Sequence, residues 1–579
     1  MPLPEFSGAL GIKRAAHLLR RATFGATKQQ IDAFAALTPA QAITSLFRQS
    51  LPDPALPIDP KTGQVWVLTP VTDANSMDLD SFLRKWIIGQ MMSAGIPSGI
   101  SLAYSAREKM VHFLHTHFTT IMSKVSNSRS IYYQNQLFRT FALDALNGNP
   151  DINFKNLTVK ISVDNAMLRV LDGNLNVKGS ENENYARELL ELYSIGRGLE
   201  GTLPPTTEQG DYGVYKEDDV KAAAKVLSGW DVDEDFANLD PDTNLPRGKV
   251  KGSPTNASSH DNTVKQFSVH FGNATVQPDP SLLNGGNPTE ESALDEIRQW
   301  IDLIYSSPQT AKNICWKIYR FFVYAPHTPQ ESIIIDGAII AEMANTFAAG
   351  GYKLQPVIEN LLRSQHFYEA TAGTVTDDNF GGIIKSPLDL IIPTLRFFDI
   401  TVPDITSSTT DFYAATGEIE TQVTTQAMKF YEPSDIAGYE SYFQFPIYHR
   451  WWITPNTLAN RYNFIRTLIT SMEQGMFKVN VYDFVKNNIP DAIAADAKLL
   501  TMELAKYLLP VTDNLTFDDA ADDTSGLTAK RLNYFKERFL QTFDEAYWTT
   551  RWNANEPDLR DQLEYLFNSM LQSPEYQLA

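Results

Sequence analysis

The chain has 579 residues, of which 43% are apolar and 11% aromatic, so it can bury a large core and disorder over most of its length is excluded. Its net charge is −20 and no run of lysine or arginine stands out, so no nucleic-acid partner is expected. The single cysteine, Cys315, excludes an internal disulfide, a thiolate zinc cluster or a redox pair.

No stretch reaches about 18 consecutive apolar residues, so no membrane span is expected. The N-terminal residues show no apolar run after a basic start. As written, the chain therefore has no signal peptide and reads as cytoplasmic, with a removed leader left open.

In chain order, helical periodicity covers 13–23, 39–49, 79–94, 105–124, 131–146, 180–195 and 217–228. It resumes over 289–306, 309–323, 335–348, 354–363, 387–398, 459–471, 490–508, 528–543 and 558–572. Weak alternation predicts hairpins at 64–71 and 265–276. Residues 198–215 and 230–287 read as long irregular segments, and 402–426, rich in Thr and Ser, as a linker or lid. LLRSQHFYEA (361–370) and MLQSPEYQLA (570–579) echo each other, each a helix end followed by Ser and an aromatic three residues on.

The expected fold class is mainly α: a large multi-helical, bundle-like protein with long irregular loops and at most short β-hairpins. The parts are a helical core over 1–200 carrying the His and Glu motifs, a loop-rich insertion over 201–288, and a second helical part over 289–400. A linker or lid with an aromatic-rich segment spans 401–458, and a C-terminal helical part 459–579.

Two stretches concentrate polar chemistry. VHFLHTHFTT (111–120) places His112, His115 and His117 in a helix that is apolar nearly all round, and buried imidazoles need partners. There is no HExxH, and His115 and His117 lie about 200° apart on a regular helix, so they cannot share one metal without a break. SENENYARELLELYSIG (180–196) reads as a helix capped by Ser180 with Glu183 and stopped by Gly196. Ala186, Leu189, Leu190 and Tyr193 form its apolar stripe; Asn184, Arg187, Glu188 and Glu191 form a polar one. Either that stripe is a solvated face, or Arg187 and Glu188 are buried in the wall of a site. In a separate polar loop, His260–Asp261 is either a ligand pair or a turn.

HLLRRATFG (17–25), REKMVHFLHTHFTT (107–120), NQLFRTFAL (135–143), the block 161–196, EDDVKAAAKVLSGW (217–230), HDNTVKQF (260–267), KSPLDLIIPTLRFF (385–398) and SPEYQ (573–577) resemble, in order, the signatures of the bacterial family catalogued as domain of unknown function 1800. Leu114 stands where tryptophan is usual, Asn165 where proline is common, and the glycine usual after His-Asp is missing. The resemblance implies a mostly helical build and no established activity. Its members are often exported and lie beside a sulfatase-like family in bacterial genomes. That implies a sulfatase-like neighbour as partner and work on a surface polysaccharide, by association alone.

Two functions follow as expectations. The first is an enzyme acting on an envelope or extracellular polymer. Glu188, His117 and Arg187 would be catalytic by acid–base chemistry. Alternatively His115, His117, Glu188, Glu191, His260 and Asp261 would hold a divalent zinc, manganese or iron ion. The second is a non-catalytic binding or scaffold protein of a cell-surface assembly. No P-loop, GxSxG elbow or dinucleotide fingerprint is present.

Overall fold

The helices start where the sequence offers an oxygen to their first free N–H groups. The computed structural model describes residues 3–68, 77–199, 202, 206, 208–368, 380–521 and 526–579. In it the Thr27 and Thr38 hydroxyls accept from the N–H groups of Gln30 (3.2 Å) and Gln41 (3.4 Å), and each glutamine side chain accepts from the threonine N–H in return. Proline stands in the first turn of Pro39–Phe47, Pro308–Phe322, Pro329–Ile335, Pro387–Phe397 and Pro455–Ile469, where a missing N–H costs nothing.

The protein is mainly α-helical, with one continuous apolar core reaching from Leu10 to Tyr576. Strand among the described residues is confined to two antiparallel pairs, Trp230–Asp231 with Lys249–Val250 and Lys265–Gln266 with Thr275–Val276. The second pair is the hairpin expected at 265–276. At 64–71 only Val65 pairs, in a single bridge to Ile58, and residues 69–71 lie outside the described residues.

The central strut is Ser101–His117, whose side chains are buried almost all round. It packs against Pro39–Phe47, Met77–Met91, Ser128–Ala142 and Pro308–Phe322. The single helix expected over 105–124 is broken: it ends at His117 and a short turn, Met122–Val125, follows.

The linker or lid expected over 402–426 is instead mostly a helix, Thr409–Thr425, capped by the Ser408 hydroxyl. Phe412, Ala415, Thr416, Ile419 and Val423 recur at helical spacing and are buried against Met77–Met91 and Pro387–Phe397. The Thr-rich composition hid this stripe, because threonine filled the solvent side of the same helix. Among the described residues one helix, Pro329–Ala349, is long and apolar enough to cross a membrane. Ile335, Ile340, Met343 and Phe347 on it are core residues, and Asp336 accepts from Lys312 (2.6 Å) and from the Trp316 indole (3.0 Å).

The sequence echo is a shared turn. The Ser364 hydroxyl accepts from the Phe367 N–H at 3.1 Å, and Ser573 from the Tyr576 N–H at 3.2 Å. Both turns grip the helix Gly11–Ala22. The His17 ring lies 4.5 Å from that of Phe367, and Arg21 reaches the C-terminal segment, donating to the Ala579 carbonyl at 2.5 Å.

Candidate functional site

The polar helix does not begin at Ser180. Ser180 is drawn back into a tight turn with Val177 around Gly179, and Asn182 caps the helix instead, accepting from the Asn184 N–H at 2.9 Å. The regular helix spans Asn184–Glu188 and widens into a π-turn at Leu189–Tyr193. Such widening leaves carbonyls without helical partners. Ser194 takes one, donating its hydroxyl to Leu189 at 2.6 Å. The helix ends as expected at Gly196, which adopts φ +71° and donates to the Leu190 carbonyl at 2.9 Å.

Three side chains from neighbouring helices take the remaining carbonyls. His117 Nε2 meets the Tyr193 carbonyl at 3.0 Å, Asn313 donates to the Ser194 carbonyl at 2.7 Å, and Lys317 donates to the Leu192 carbonyl. Burial holds the His117 imidazole well below its ordinary pKa, and Lys317 adds to this, so the ring is neutral and donates from Nε2. His117 therefore closes a helix end. His115, two residues earlier, lies with its ring 3.8 Å from and nearly parallel to that of Tyr431, and neither nitrogen has a hydrogen-bond partner among the described residues.

Arg187 and Glu188 are half-buried, not fully enclosed. Arg187 is spent on Glu217, which it meets through two contacts at 2.5 and 2.9 Å, with Glu183 at 3.2 Å and the Tyr212 hydroxyl at 3.3 Å. Glu191 pairs with Arg197 at 2.6 Å. Glu188 has no hydrogen-bond partner among the described residues. Burial raises its carboxyl to about 7, and the carboxylates of Glu191 and Asp435 raise it further than Arg187 and Arg197 lower it. Asp144 and Asp164 are also raised to about 7 by burial, but each caps a helix through backbone N–H groups. Glu188 holds its shifted proton with no such structural duty.

His260 and Asp261 form a separate knot. His260 Nδ1 meets the Ser228 carbonyl at 2.8 Å and Nε2 lies 3.3 Å from Glu296, which also pairs with the buried Lys265. Asp261 accepts from the Thr263 N–H at 2.7 Å and its hydroxyl at 2.5 Å, the turn reading of this pair. The six residues expected to hold a metal are thus divided among the Tyr431 ring, the Tyr193 carbonyl, the Glu188–Glu191 face and the His260 knot. Among the described residues no group of three or more His, Cys, Asp or Glu is placed to hold an ion.

A cavity of about 60 Å³ between the central strut, Pro308–Phe322 and residues 437–452 contains polar residues that the sequence reading passed over. Lys109 pairs there with Asp389, and Asp389 accepts from the Ser386 hydroxyl at 2.7 Å. The Tyr442 hydroxyl meets His112 Nε2 at 3.5 Å. Burial drives the His112 imidazole down to about 3, with Lys109 adding to this, so it is a neutral base at physiological pH. Lys109 and Asp389 both stand in the quoted blocks REKM and KSPLD. The signal was a charge inside each apolar block, which requires a partner. The turn Asp435–Gly438 joins this cavity to the Glu188 face: Ala437 lines the cavity, Ile436 accepts from the Tyr193 hydroxyl at 3.3 Å, and Asp435 acts on Glu188.

The raised Glu188 carboxyl has a stability consequence. The folded state holds this proton more tightly than the unfolded chain, so Glu188 weakens the fold progressively as pH climbs from about 4.5 to about 7. Glu188→Gln is expected to match wild type at pH 4 and to be more stable at pH 8, by about 1–2 kcal/mol after allowance for solvent screening. Thermal melts at the two pH values check this; equal destabilisation at both would mean that Glu188 is a structural anion.

Comparison with curated proteins and with solved structures gave no match. The quoted blocks pair with one another across the fold: Lys109 of REKM with Asp389 of KSPLD, and His117 with the end of the Glu188 helix. This is the arrangement expected where blocks spread along a chain form one family signature. The family model described as protein of unknown function, DUF1800, matches residues 17–578, and the chain belongs to that family.

Proposed function

We propose that this protein is an acid–base enzyme in which Glu188 carries the transferred proton, acting on an envelope or extracellular polymer. One observation carries the reading: Glu188 is half-exposed, has no hydrogen-bond partner among the described residues, and is poised at about 7 between Glu191 and Asp435. A carboxyl poised near the working pH is the group that general acid catalysis needs. Glu191, paired with Arg197, is the second carboxyl of this face, and two carboxyls in unlike surroundings can divide acid and base roles. His117 is a positioning residue here, because it fixes the end of the π-turn that carries Glu191 and directly follows Glu188. The metal-dependent form of the reading has less support, because the six residues are directed to four different places.

The non-catalytic alternative draws on how many motif charges are consumed inside the fold: Glu108 by Arg139, Lys109 by Asp389, and Lys265 by Glu296. Release of reducing ends from purified bacterial surface polysaccharides separates the two. Wild type is expected to release them with one pH limb near 7, and Glu188→Gln to be at least about 10²-fold slower with no loss of melting temperature. Equal release by both proteins would remove Glu188 from the catalytic role, and none from either would leave the binding-protein reading standing.

A further inference from the structure

A second cleft lies elsewhere, and its chemistry does not depend on the acid–base reading of Glu188. It has a volume of about 860 Å³ and lies among the start of Lys28–Ala35, the end of Met77–Met91, the end of Pro387–Phe397 and the helix Val481–Asn488. That volume falls in the range of about 300–1,000 Å³ usual for small-molecule sites.

Most charged groups of its wall already have partners within the protein. Lys28 pairs with Asp32 at 2.8 Å. The Arg396 guanidinium donates to the Gly25 carbonyl (3.0 Å), the Met92 carbonyl (3.1 Å) and the Ser93 hydroxyl (2.9 Å). Lys478 donates to the Thr467 and Thr470 carbonyls, and Asp483 accepts the Asn480 amide. What the cleft offers to a ligand is different in kind. Gln29, Ser98, Thr401 and Asn487 are exposed, and their side chains make no hydrogen bond among the described residues. Asp399 is the one carboxylate of the wall in the same position.

Beneath them is an aromatic floor. The Phe484 ring lies 5.5 Å from that of Phe397 and 5.0 Å from that of Phe398, and Phe484 itself is half-exposed. Two helices end in this wall with non-glycine residues in the left-handed region, Ser93 and Asp399, both at φ +57°.

Each ligand class makes a different demand. An anion needs an uncommitted cation, and the lysines and arginine of this wall are committed. An apolar ligand would leave four amide and hydroxyl groups unpaired on binding. A neutral polyhydroxylated ring satisfies both halves: its hydroxyls give to and take from amides and hydroxyls, and its C–H face rests on an aromatic ring. We infer that this cleft is a binding site for a neutral oligosaccharide, with Gln29, Asn487 and Thr401 bonding its hydroxyls and Phe484 carrying its apolar face.

The test is titration calorimetry of the full chain with maltotriose, cellotriose and chitotriose, and with an uncharged Gly-Ser-Asn hexapeptide. At least one trisaccharide is expected to bind saturably. Gln29→Ala and Asn487→Ala should each weaken that binding about tenfold, and Phe484→Ala should abolish it, while Gln29→Ala and Asn487→Ala melt as wild type does. Because Phe484 packs on the core, loss of folding in its variant would be read from the two surface variants instead. Binding of none of the three sugars overturns the inference. So does sugar binding that the variants leave unchanged, or binding of the hexapeptide alone.

Discussion

Arg139→Met is expected to destabilise the protein by about 3–5 kcal/mol, the cost of leaving one member of a buried ion pair alone. Glu108 and Arg139 are 2% and 5% exposed and meet through two contacts at 2.6 and 2.9 Å, with Arg107 adding a third at 3.1 Å. Burial pushes the Glu108 carboxyl up, but Arg139 and Arg107 more than reverse this, and it is held below its ordinary value. The attraction is therefore present above about pH 4.5 and is lost as pH falls through the lowered folded value. Without Arg139, Arg107 is the cation left facing the carboxylate among the described residues. Urea denaturation at pH 7 measures the loss. The double variant Glu108→Met, Arg139→Met should recover part of it, because it leaves no lone carboxylate and keeps volume, although Arg107 loses its contact with Glu108 and is left with the Pro52 carbonyl. A double variant as damaged as the single one would mean that the pair itself, and not the stranded charge, holds the helices.

Lys109→Met is expected to cost about 2–4 kcal/mol at pH 7, less than Arg139→Met because Asp389 keeps 22% of its side chain exposed. It should also reverse a pH dependence. In the wild type burial raises Asp389, and Lys109 and the Ser386 hydroxyl pull it below its ordinary value. Asp389 then contributes stability above about pH 4 that is lost in acid. With Lys109 removed, burial, the largest influence, outweighs the remaining Ser386 hydrogen bond and the carboxyl rises. The variant should gain stability relative to wild type as pH falls from 8 to 5. Thermal melts across that interval give the sign directly. A constant difference between the two proteins would show that Asp389 is not what Lys109 neutralises.

Most helices were legible from periodicity, because one buried stripe per helix leaves a 3.6-residue signature. Pro387–Phe397 and Leu354–Arg363 lie within a residue of the expected bounds. Thr409–Thr425 was not legible, because composition outweighed a five-residue stripe. Ser180 was misplaced for a different reason. A serine with a glutamate three residues on fits a capping box, but here a glycine turn pulls Ser180 away and Asn182 does the capping.

The sequence by itself determined that the chain is mainly α, that its charges lie inside apolar blocks, and that such charges need partners. Apolar spacing and the cost of a buried charge are local or universal, so one strand of letters carries both. Which charges meet was decided only by the tertiary structure. Lys109 and Asp389 are 280 positions apart and Glu108 and Arg139 are 31 apart, and nothing in local spacing selects these pairs over others. The same holds for the histidines. His115 and His117 lie two residues apart, yet one turns to the Tyr431 ring and the other to the Tyr193 carbonyl, because each rotation along a helix faces a different neighbour. The Glu188 carboxyl is raised for the same kind of reason: burial in the tertiary fold acts first, Glu191 adds to it, and Asp435 adds again from 247 positions away along the chain.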